Sequence, residues 1–314
     1  MAAAVVTTAG TAAPPGPGRR RASPARRRQA RVAWALCVPF LLLFTVFTAG
    51  PVLASLGMSF TDIRSADLRT PLAVSGIGLE NYSKLLSDST FLAALRNTGY
   101  FVLVGVPLTM VLALAAALGL NRITRLRGFF RVGFYLPVVT SVVAVAVVWR
   151  FLLQPDTGVF DTVLAWVGIQ GPNWLEDPTW AMPSLIAMAS WRNLGTLTVI
   201  FLAGLQTVPR DLLEAAEMDG AGAWRRFTGV VLPLLRPTLL FGGVITTVGY
   251  LQFFEEPFVM TQGGPLDSTI SLSYYVYNQF GFGNYGYASA VAYTLFVIIV
   301  VITAVQFRLL RERS

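Results

Sequence analysis

The sequence contains no histidine, one lysine and one cysteine among its 314 residues. Without histidine, the chain lacks the commonest general base and the commonest transition-metal ligand of proteins. The single cysteine, Cys37, can form no disulfide within the chain, and its neighbours are apolar. The single lysine, Lys84, follows a tyrosine and a serine rather than a glycine-rich loop, so no P-loop is present to bind ATP. We therefore expect no catalytic residue, no metal and no cofactor.

Charged residues are also scarce, at 13% of the chain, whereas soluble proteins carry roughly 25%. The hydrophobic residues, 54% of the chain, gather in blocks of about twenty. A helix of that length crosses roughly 30 Å of hydrocarbon, and backbone groups in lipid must bond to one another. We expect an all-α membrane protein with six transmembrane helices. The six blocks are Val32–Gly57, Thr98–Leu120, Val132–Leu153, Met182–Leu205, Leu234–Phe254 and Ala288–Phe307.

The arginines alternate between the links that join these blocks. They crowd before the first block, between the second and third, between the fourth and fifth, and after the sixth. No lysine or arginine lies in residues 154–181 or in residues 255–287. By the positive-inside rule, both termini of a multi-pass cell-membrane protein then face the cytoplasm. The net charge of +8 is thus a signal of topology, and we expect no nucleic-acid partner.

The domain boundaries follow from the same pattern. Residues 1–31 are rich in Ala, Pro, Gly and Arg without apolar periodicity, which predicts a disordered basic cytoplasmic tail. The first apolar block is longer than the core of a signal peptide, and no clear small-residue cleavage site follows it. We assign residues 32–308 to one six-helix transmembrane domain and residues 309–314 to a cytoplasmic end.

The polar link of residues 207–233 contains a helix–glycine–helix pattern. It predicts a short helix, Glu214–Met218, ended by Gly220 at positive φ, and a second helical segment, Ala223–Leu232, ended by Pro233. Pro209 suits the first turn of the first helix. Small residues leave a surface of low relief that another protein can approach closely. An ordinary link on the membrane surface and a docking element for a cytoplasmic protein are equally compatible with this pattern.

The order of residues in this link is more specific than its helical pattern. Glu214-Ala215-Ala216 is followed after three residues by Gly220, and after nine more by Val230 and then Leu232-Pro233. This resembles the EAA loop of binding-protein-dependent ABC transporter permeases, with valine at the usual isoleucine position. The resemblance implies the MalF/MetI-like ABC permease fold, in which the loop is a coupling helix seated in a cleft of the ATPase subunit. It implies that Glu214, Ala215, Ala216 and Gly220 dock there, with Asp219 and Ala221 in support.

A second stretch narrows the family. The sequence Val259-Met260-Thr261-Gln262-Gly263-Gly264-Pro265, with Gly286-Tyr287-Ala288-Ser289-Ala290 further on, resembles the carbohydrate-uptake branch and within it the maltose-type first permease (MalF/UgpA-like). The similarity runs from about Trp34 to Phe307. It implies one half of the translocation pathway of an ATP-driven sugar importer. The partners implied are a second, MalG-like permease as heterodimer, an ATPase dimer and an extracytoplasmic sugar-binding protein.

Two places are candidates for contact with a transported solute. Arg192 lies near the middle of the fourth block, where a charge is costly, and its neighbours Trp191 and Asn193 offer the aromatic and amide groups that suit a sugar. Snorkelling of Arg192, or its pairing with a carboxylate of the partner subunit, is the open alternative. Further candidates stand at the outer end of the fifth block: Tyr250, Gln252 and Glu255. We treat Glu256 with Glu255 as acids that either line the pathway or sit at the membrane interface.

Other functions remain open from the sequence. An ABC importer for amino acids, phosphate or glycerol phosphate would share the EAA loop. An ion-coupled secondary transporter is usually longer or built from inverted repeats, and the sequence has no visible repeat. An intramembrane enzyme needs a nucleophile or a metal constellation, for which this composition offers little.

Overall fold

The computed structural model describes residues 24–69, 74–123 and 127–311. Over these residues the chain is helical, and its β structure is one isolated bridge between Thr61 and Gly76. The longer helices are α1 (Pro24–Phe44), α2 (Gly50–Met58), α3 (Glu80–Leu85), α4 (Ser89–Arg122), α5 (Arg127–Val139), α6 (Val142–Leu152), α7 (Val159–Trp166) and α8 (Pro178–Gln206). The second half contains α9 (Arg210–Met218), α10 (Ala223–Arg226), α11 (Leu232–Leu234), α12 (Arg236–Leu251), α13 (Glu255–Met260), α14 (Leu272–Gly281) and α15 (Tyr285–Arg311).

The chain divides into two compact units, residues 1–54 and residues 55–314. In the first unit α1 begins at Pro24, so residues 24–31 are helical although we predicted a disordered tail up to residue 31. Alanine and arginine are good helix formers, which lets the helix extend beyond the apolar block. Residues 1–23 lie outside the described part of the chain. A π-helical turn, Thr45–Ala49, joins α1 to α2.

Four described helical runs are each long and apolar enough to cross a membrane: Val32–Met58, Ser89–Arg122, Pro178–Gln206 and Tyr285–Arg308. Two bent pairs raise the number to six if each pair is one span. Each predicted block therefore coincides with one run or one pair, but the third and fifth blocks are not single straight helices.

The two breaks have local causes. The third block bends by 99° between α5 and α6, where Ser141 leaves the helical region with ψ near 130°. Pro137, one turn earlier, donates no backbone hydrogen bond. The fifth block bends by 68° at Leu235, and Pro237 follows. We predicted that Pro233 ends the preceding helix. It does not, because it lies in the first turn of α11, where a missing N–H is tolerated.

The core of the second unit forms where α4, α8 and α12 meet. Phe101 stacks on Phe253 with ring centroids 3.9 Å apart, and Tyr250 meets the edge of Phe101 at 5.0 Å. Gly105 makes this approach possible, because an added Cβ would lie 2.8 Å from the Tyr250 ring. The Tyr250 hydroxyl is 2.8 Å from Thr109 Oγ1, which in turn donates to Ser190 Oγ at 3.0 Å. This buried network fixes α12 against α4 and α8.

A carboxylate ties the helices together at the opposite end of α4. Asp88 caps α4 by accepting from the backbone N–H groups of Thr90 and Phe91 at 2.9 and 3.1 Å. Its second oxygen accepts from the hydroxyls of Tyr275 and Tyr287. Burial would raise the pKa of the Asp88 carboxyl, but the tyrosine and backbone donors outweigh burial and hold the pKa below its ordinary value.

Candidate functional site

A cavity of about 210 Å³ opens between α8, α12 and the start of α13. It brings together five of the six residues that we predicted to line a pathway: Arg192, Asn193, Tyr250, Gln252 and Glu255. The first two residues lie on α8 and the other three begin 57 positions later, and packing of α8 against α12 places both groups around one space. The sixth, Trp191, does not line this cavity and instead packs against Trp149 with ring centroids 5.8 Å apart.

Tyr250 forms a fixed wall of the cavity. Its side chain is buried, and its hydroxyl is held in the Thr109–Ser190 network that joins α4 and α8. Asn193 donates its amide to the Ala189 carbonyl at 2.9 Å. Aromatic rings beside amide groups are suited to a hydroxylated solute, since the rings cover its apolar face and the amides bond its hydroxyls.

Glu256 also lines the cavity, although the sequence did not distinguish its position from that of Glu255. We gave Glu255 and Glu256 the same two alternatives, but in the structure Glu255 is exposed and Glu256 is only 5% exposed. The two differ because α13 begins at Glu255, so successive side chains point to different sides of that helix. The sequence alone therefore does not show that Glu256 is buried while Glu255 is exposed, because this difference depends on where α13 begins.

The loop of residues 207–233 is the second candidate site. Its first helix, α9, begins at Arg210, four residues earlier than we predicted, and Pro209 is its N-cap residue rather than part of its first turn. Gly220 has φ of +75° and ends the helix as expected. The Gly220 N–H bonds the Glu217 carbonyl at 3.0 Å, and the Ala221 N–H bonds the Ala216 carbonyl at 2.9 Å. These bonds satisfy carbonyl groups that the helix end would otherwise leave without donors.

The surface of this loop is exposed and partly apolar. Met218 is 88% exposed and Trp224 is 75% exposed, and Glu214 and Ala215 are exposed beside them. A Cβ added at Gly220 would meet no atom within 4 Å. Trp224 packs against Phe227 with ring centroids 5.7 Å apart, and contiguous exposed apolar side chains are typical of a surface that another protein covers.

An ion pair that the sequence did not reveal fixes the angle of the turn. Arg226 Nη1 lies 2.5 Å from Glu217 Oε2, so α10 is joined to α9 across Gly220. The two residues are nine positions apart, which is not a spacing at which charges on one helix meet. The loop is therefore braced by backbone bonds on one side of the turn and by this pair on the other.

Comparisons with known proteins identify the family of the chain. Residues 105–313 match the family described as binding-protein-dependent transport system inner membrane component. The lactose transport system permease protein of Rhizobium radiobacter is 38% identical over 289 residues, covering 90% of this chain and 94% of that protein. The trehalose/maltose transport system permease protein of Thermococcus litoralis is 32% identical over 286 residues, covering 91% and 96%.

A solved structure extends the likeness to the fold. The crystal structure of a bacterial ABC transporter involved in the import of the acidic polysaccharide alginate contains a chain that superposes with a TM-score of 0.76. It is 26% identical, and the match covers 91% of this chain and 96% of the other. Sequence and fold thus agree over nearly the whole length, and this chain belongs to the inner-membrane permease components of binding-protein-dependent transport systems.

Proposed function

We propose that this protein is one of two permease subunits of an ATP-driven sugar importer and forms half of its translocation pathway. The names of the relatives, a lactose permease and a trehalose/maltose permease, support a sugar as the solute. The observation that carries the proposal is the loop around Gly220. It is braced, exposed and apolar at its tip, and it belongs to a chain without a P-loop.

The loop couples the permease to a separate ATPase. Glu214, Ala215, Ala216 and Gly220 dock in a cleft of that subunit, and Asp219 and Ala221 support the contact. The exposed side chains Met218 and Trp224 give the contact an apolar area that the permease itself leaves uncovered. Closure of an ATPase dimer on ATP displaces the loop, and the displacement reorients the spans so that access alternates between the two sides.

The cavity between α8 and α12 is this subunit's share of the pathway. Its volume of about 210 Å³ is smaller than the roughly 300–1,000 Å³ of typical ligand sites. A sugar therefore needs further residues to surround it, and a second permease supplies them in a heterodimer. Trp191, 45% exposed at the edge of α8, is available to contribute at that shared boundary.

Orientation follows from the arginine pattern. Both termini and the EAA loop face the cytoplasm, and the segment around Asp267 faces outward. An extracytoplasmic binding protein delivers sugar to that outer side. The second permease, two ATPase copies and the binding protein complete the transporter.

Reconstitution tests the assignment. The permease pair, the ATPase and the binding protein are placed in proteoliposomes, and uptake of labelled lactose, maltose and trehalose is measured beside glycerol 3-phosphate and amino acids. We expect uptake of a sugar only with ATP and with all components present. Uptake driven by an ion gradient without ATP would refute the importer, and uptake restricted to glycerol 3-phosphate or an amino acid would refute the sugar.

A further inference from the structure

The cavity contains two buried polar atoms of opposite character, each without a partner. Arg192 Nε is a donor and Glu256 Oε2 is an acceptor, and neither forms a hydrogen bond within the described part of the chain. Both side chains line the same cavity. Glu256 is more than nine-tenths buried, so water from the surface does not reach its free oxygen readily. Leaving such groups unpaired is costly, and proteins usually avoid it.

A direct ion pair would have satisfied both groups, but the ion pairs found among the described residues do not include one between Arg192 and Glu256. The free donor and the free acceptor thus each leave one hydrogen bond for a group that enters the cavity. A hydroxyl donates one hydrogen bond and accepts others, so one hydroxyl, or two on adjacent carbons, can serve both atoms.

The balance of charge in the cavity also favours a neutral hydroxylated solute. Two carboxyl groups, of Glu255 and Glu256, stand against one guanidinium, that of Arg192, and the lining includes no second cation. A carboxylate or phosphate on a solute would lie close to these acids, and repulsion between like charges grows as water is excluded. A neutral polyol meets no such repulsion.

We propose that Arg192, Glu255 and Glu256 are specificity-determining residues that make the cavity selective for neutral polyhydroxylated solutes over anionic ones. A solute hydroxyl accepts from Arg192 Nε and donates to Glu256 Oε2, while Glu255 at the exposed side repels anions. The inference rests on the proposed function, because it assumes that the cavity lies on the pathway. It excludes phosphorylated polyols and uronates, which the EAA loop alone leaves open.

The charge selectivity can be measured without knowing the sugar. Cys37 is the single cysteine of this chain, so Cys37→Ala gives a permease without thiols, and Thr196→Cys places one reporter in the cavity; the same transporter without Thr196→Cys gives the background labelling of the partner subunits. The reaction rates of the Thr196→Cys thiol with a cationic and an anionic methanethiosulfonate reagent are measured in the assembled transporter. The ratio of these two rates is compared with the same ratio for a free thiol, 2-mercaptoethanol. Ile245→Cys, on α12 and 45% exposed, is a second reporter in the same cavity.

We expect the ratio of the cationic to the anionic reaction rate to rise by about sevenfold for each kT of negative potential, because the two local concentrations change by about threefold in opposite directions. Glu255→Gln and Glu256→Gln should each lower this preference, and Arg192→Gln should raise it. Glu176→Gln is the matched control, because it removes an exposed carboxylate that does not line this cavity, and it should leave the preference unchanged. The hydroxyl bridge is tested by uptake of a neutral sugar, for which Glu256→Gln should raise KM more than it lowers the maximal rate.

Failure of this inference can be told apart from failure of the proposed function. If the proteoliposomes import a neutral sugar but both reporters show the free-thiol ratio in every variant, the charge selectivity is wrong and the importer assignment stands. If the preference is present but Glu256→Gln leaves the KM unchanged, the hydroxyl bridge is wrong. If the proteoliposomes carry only a phosphorylated polyol, both the sugar assignment and this inference fall.

Discussion

Gly220→Val offers the sharpest test of the coupling loop, because the structure separates its backbone effect from a steric one. Gly220 has φ of +75°, where a residue with a Cβ costs about 1–2 kcal/mol. An added Cβ meets no atom within 4 Å, so no clash inside the permease adds to that cost. A difference of 1.4 kcal/mol is tenfold in an equilibrium constant, so the equilibrium between the observed turn and other conformations should shift against the turn by about 5- to 30-fold. Since the loop is exposed, insertion of the spans should be unaffected.

If the ATPase binds only the observed turn, its apparent affinity should fall by the fraction of the turn that is lost, up to a factor of about 5–30. The assay is co-purification of the ATPase with the permease from detergent, together with ATP-dependent uptake in proteoliposomes. Gly222→Val is the matched control in the same loop, because Gly222 has an ordinary φ of −64° and equally open space. Gly220→Asn adds a side chain that tolerates positive φ, and it should retain more binding than valine if backbone strain is the cause.

Two outcomes would refute this reasoning. If Gly220→Val keeps both ATPase binding and uptake at the wild-type level, the loop is an ordinary surface link. If Gly220→Asn and Gly220→Val lose binding equally, close approach of the partner to the surface matters and positive φ does not.

Three further predictions concern the pathway, the topology and the N-terminal end of α4. Arg192→Leu removes a charged donor, a loss of about 1.5–3 kcal/mol, and should lower uptake efficiency by about 10- to 150-fold with normal membrane insertion; full uptake would mean that the side chain only snorkels. Reporter fusions after Arg226 should read as cytoplasmic and fusions near Asp267 as external, and a cytoplasmic signal near Asp267 would refute the six-span topology. Because its pKa is lowered on folding, Asp88 stabilises the fold above its ordinary pKa of 3.8 and loses that effect as pH falls further. Asp88→Asn should therefore lower the melting temperature at pH 7, where the carboxylate accepts a hydrogen bond from Tyr275. The difference in melting temperature between the variant and the wild type should shrink below pH 3.8. A difference that does not depend on pH would contradict this.

Hydropathy predicted where the apolar runs lie, because the thickness of hydrocarbon sets their length whatever the fold. It did not predict the bends, which depend on local backbone chemistry. The break after α5 occurs at Ser141, inside a run that we predicted as uninterrupted helix, whereas the break before α12 occurs at Leu235, two residues after the stop that we predicted at Pro233. Prolines stand near both breaks, but Pro107 lies within α4 without interrupting it, so a proline alone does not mark a break.

The cavity was predictable in part for a related reason. Arg192 and Tyr250 stand out in the sequence because polar groups in apolar runs need a partner or a cavity. Their proximity depends on Gly105, which lets Tyr250 approach α4, and no pattern in the sequence links these positions. The burial of Glu256 depends on the start of α13, an element too short to show periodicity.

The bend at Leu235 gives the chain a mechanical connection between its two candidate sites. Leu235 is 1% exposed and packs in a core cluster with Leu197 and Phe201 of α8, so the joint between α11 and α12 is held in the core while the loop before it stands exposed. A force applied at the Gly220 turn therefore passes through the braced α9–α10 pair to a joint that cannot slide freely. Beyond that joint, α12 carries Tyr250 to the cavity wall. Movement of the loop must either rotate α12 about the packed joint or separate α12 from α8, and either motion changes the cavity.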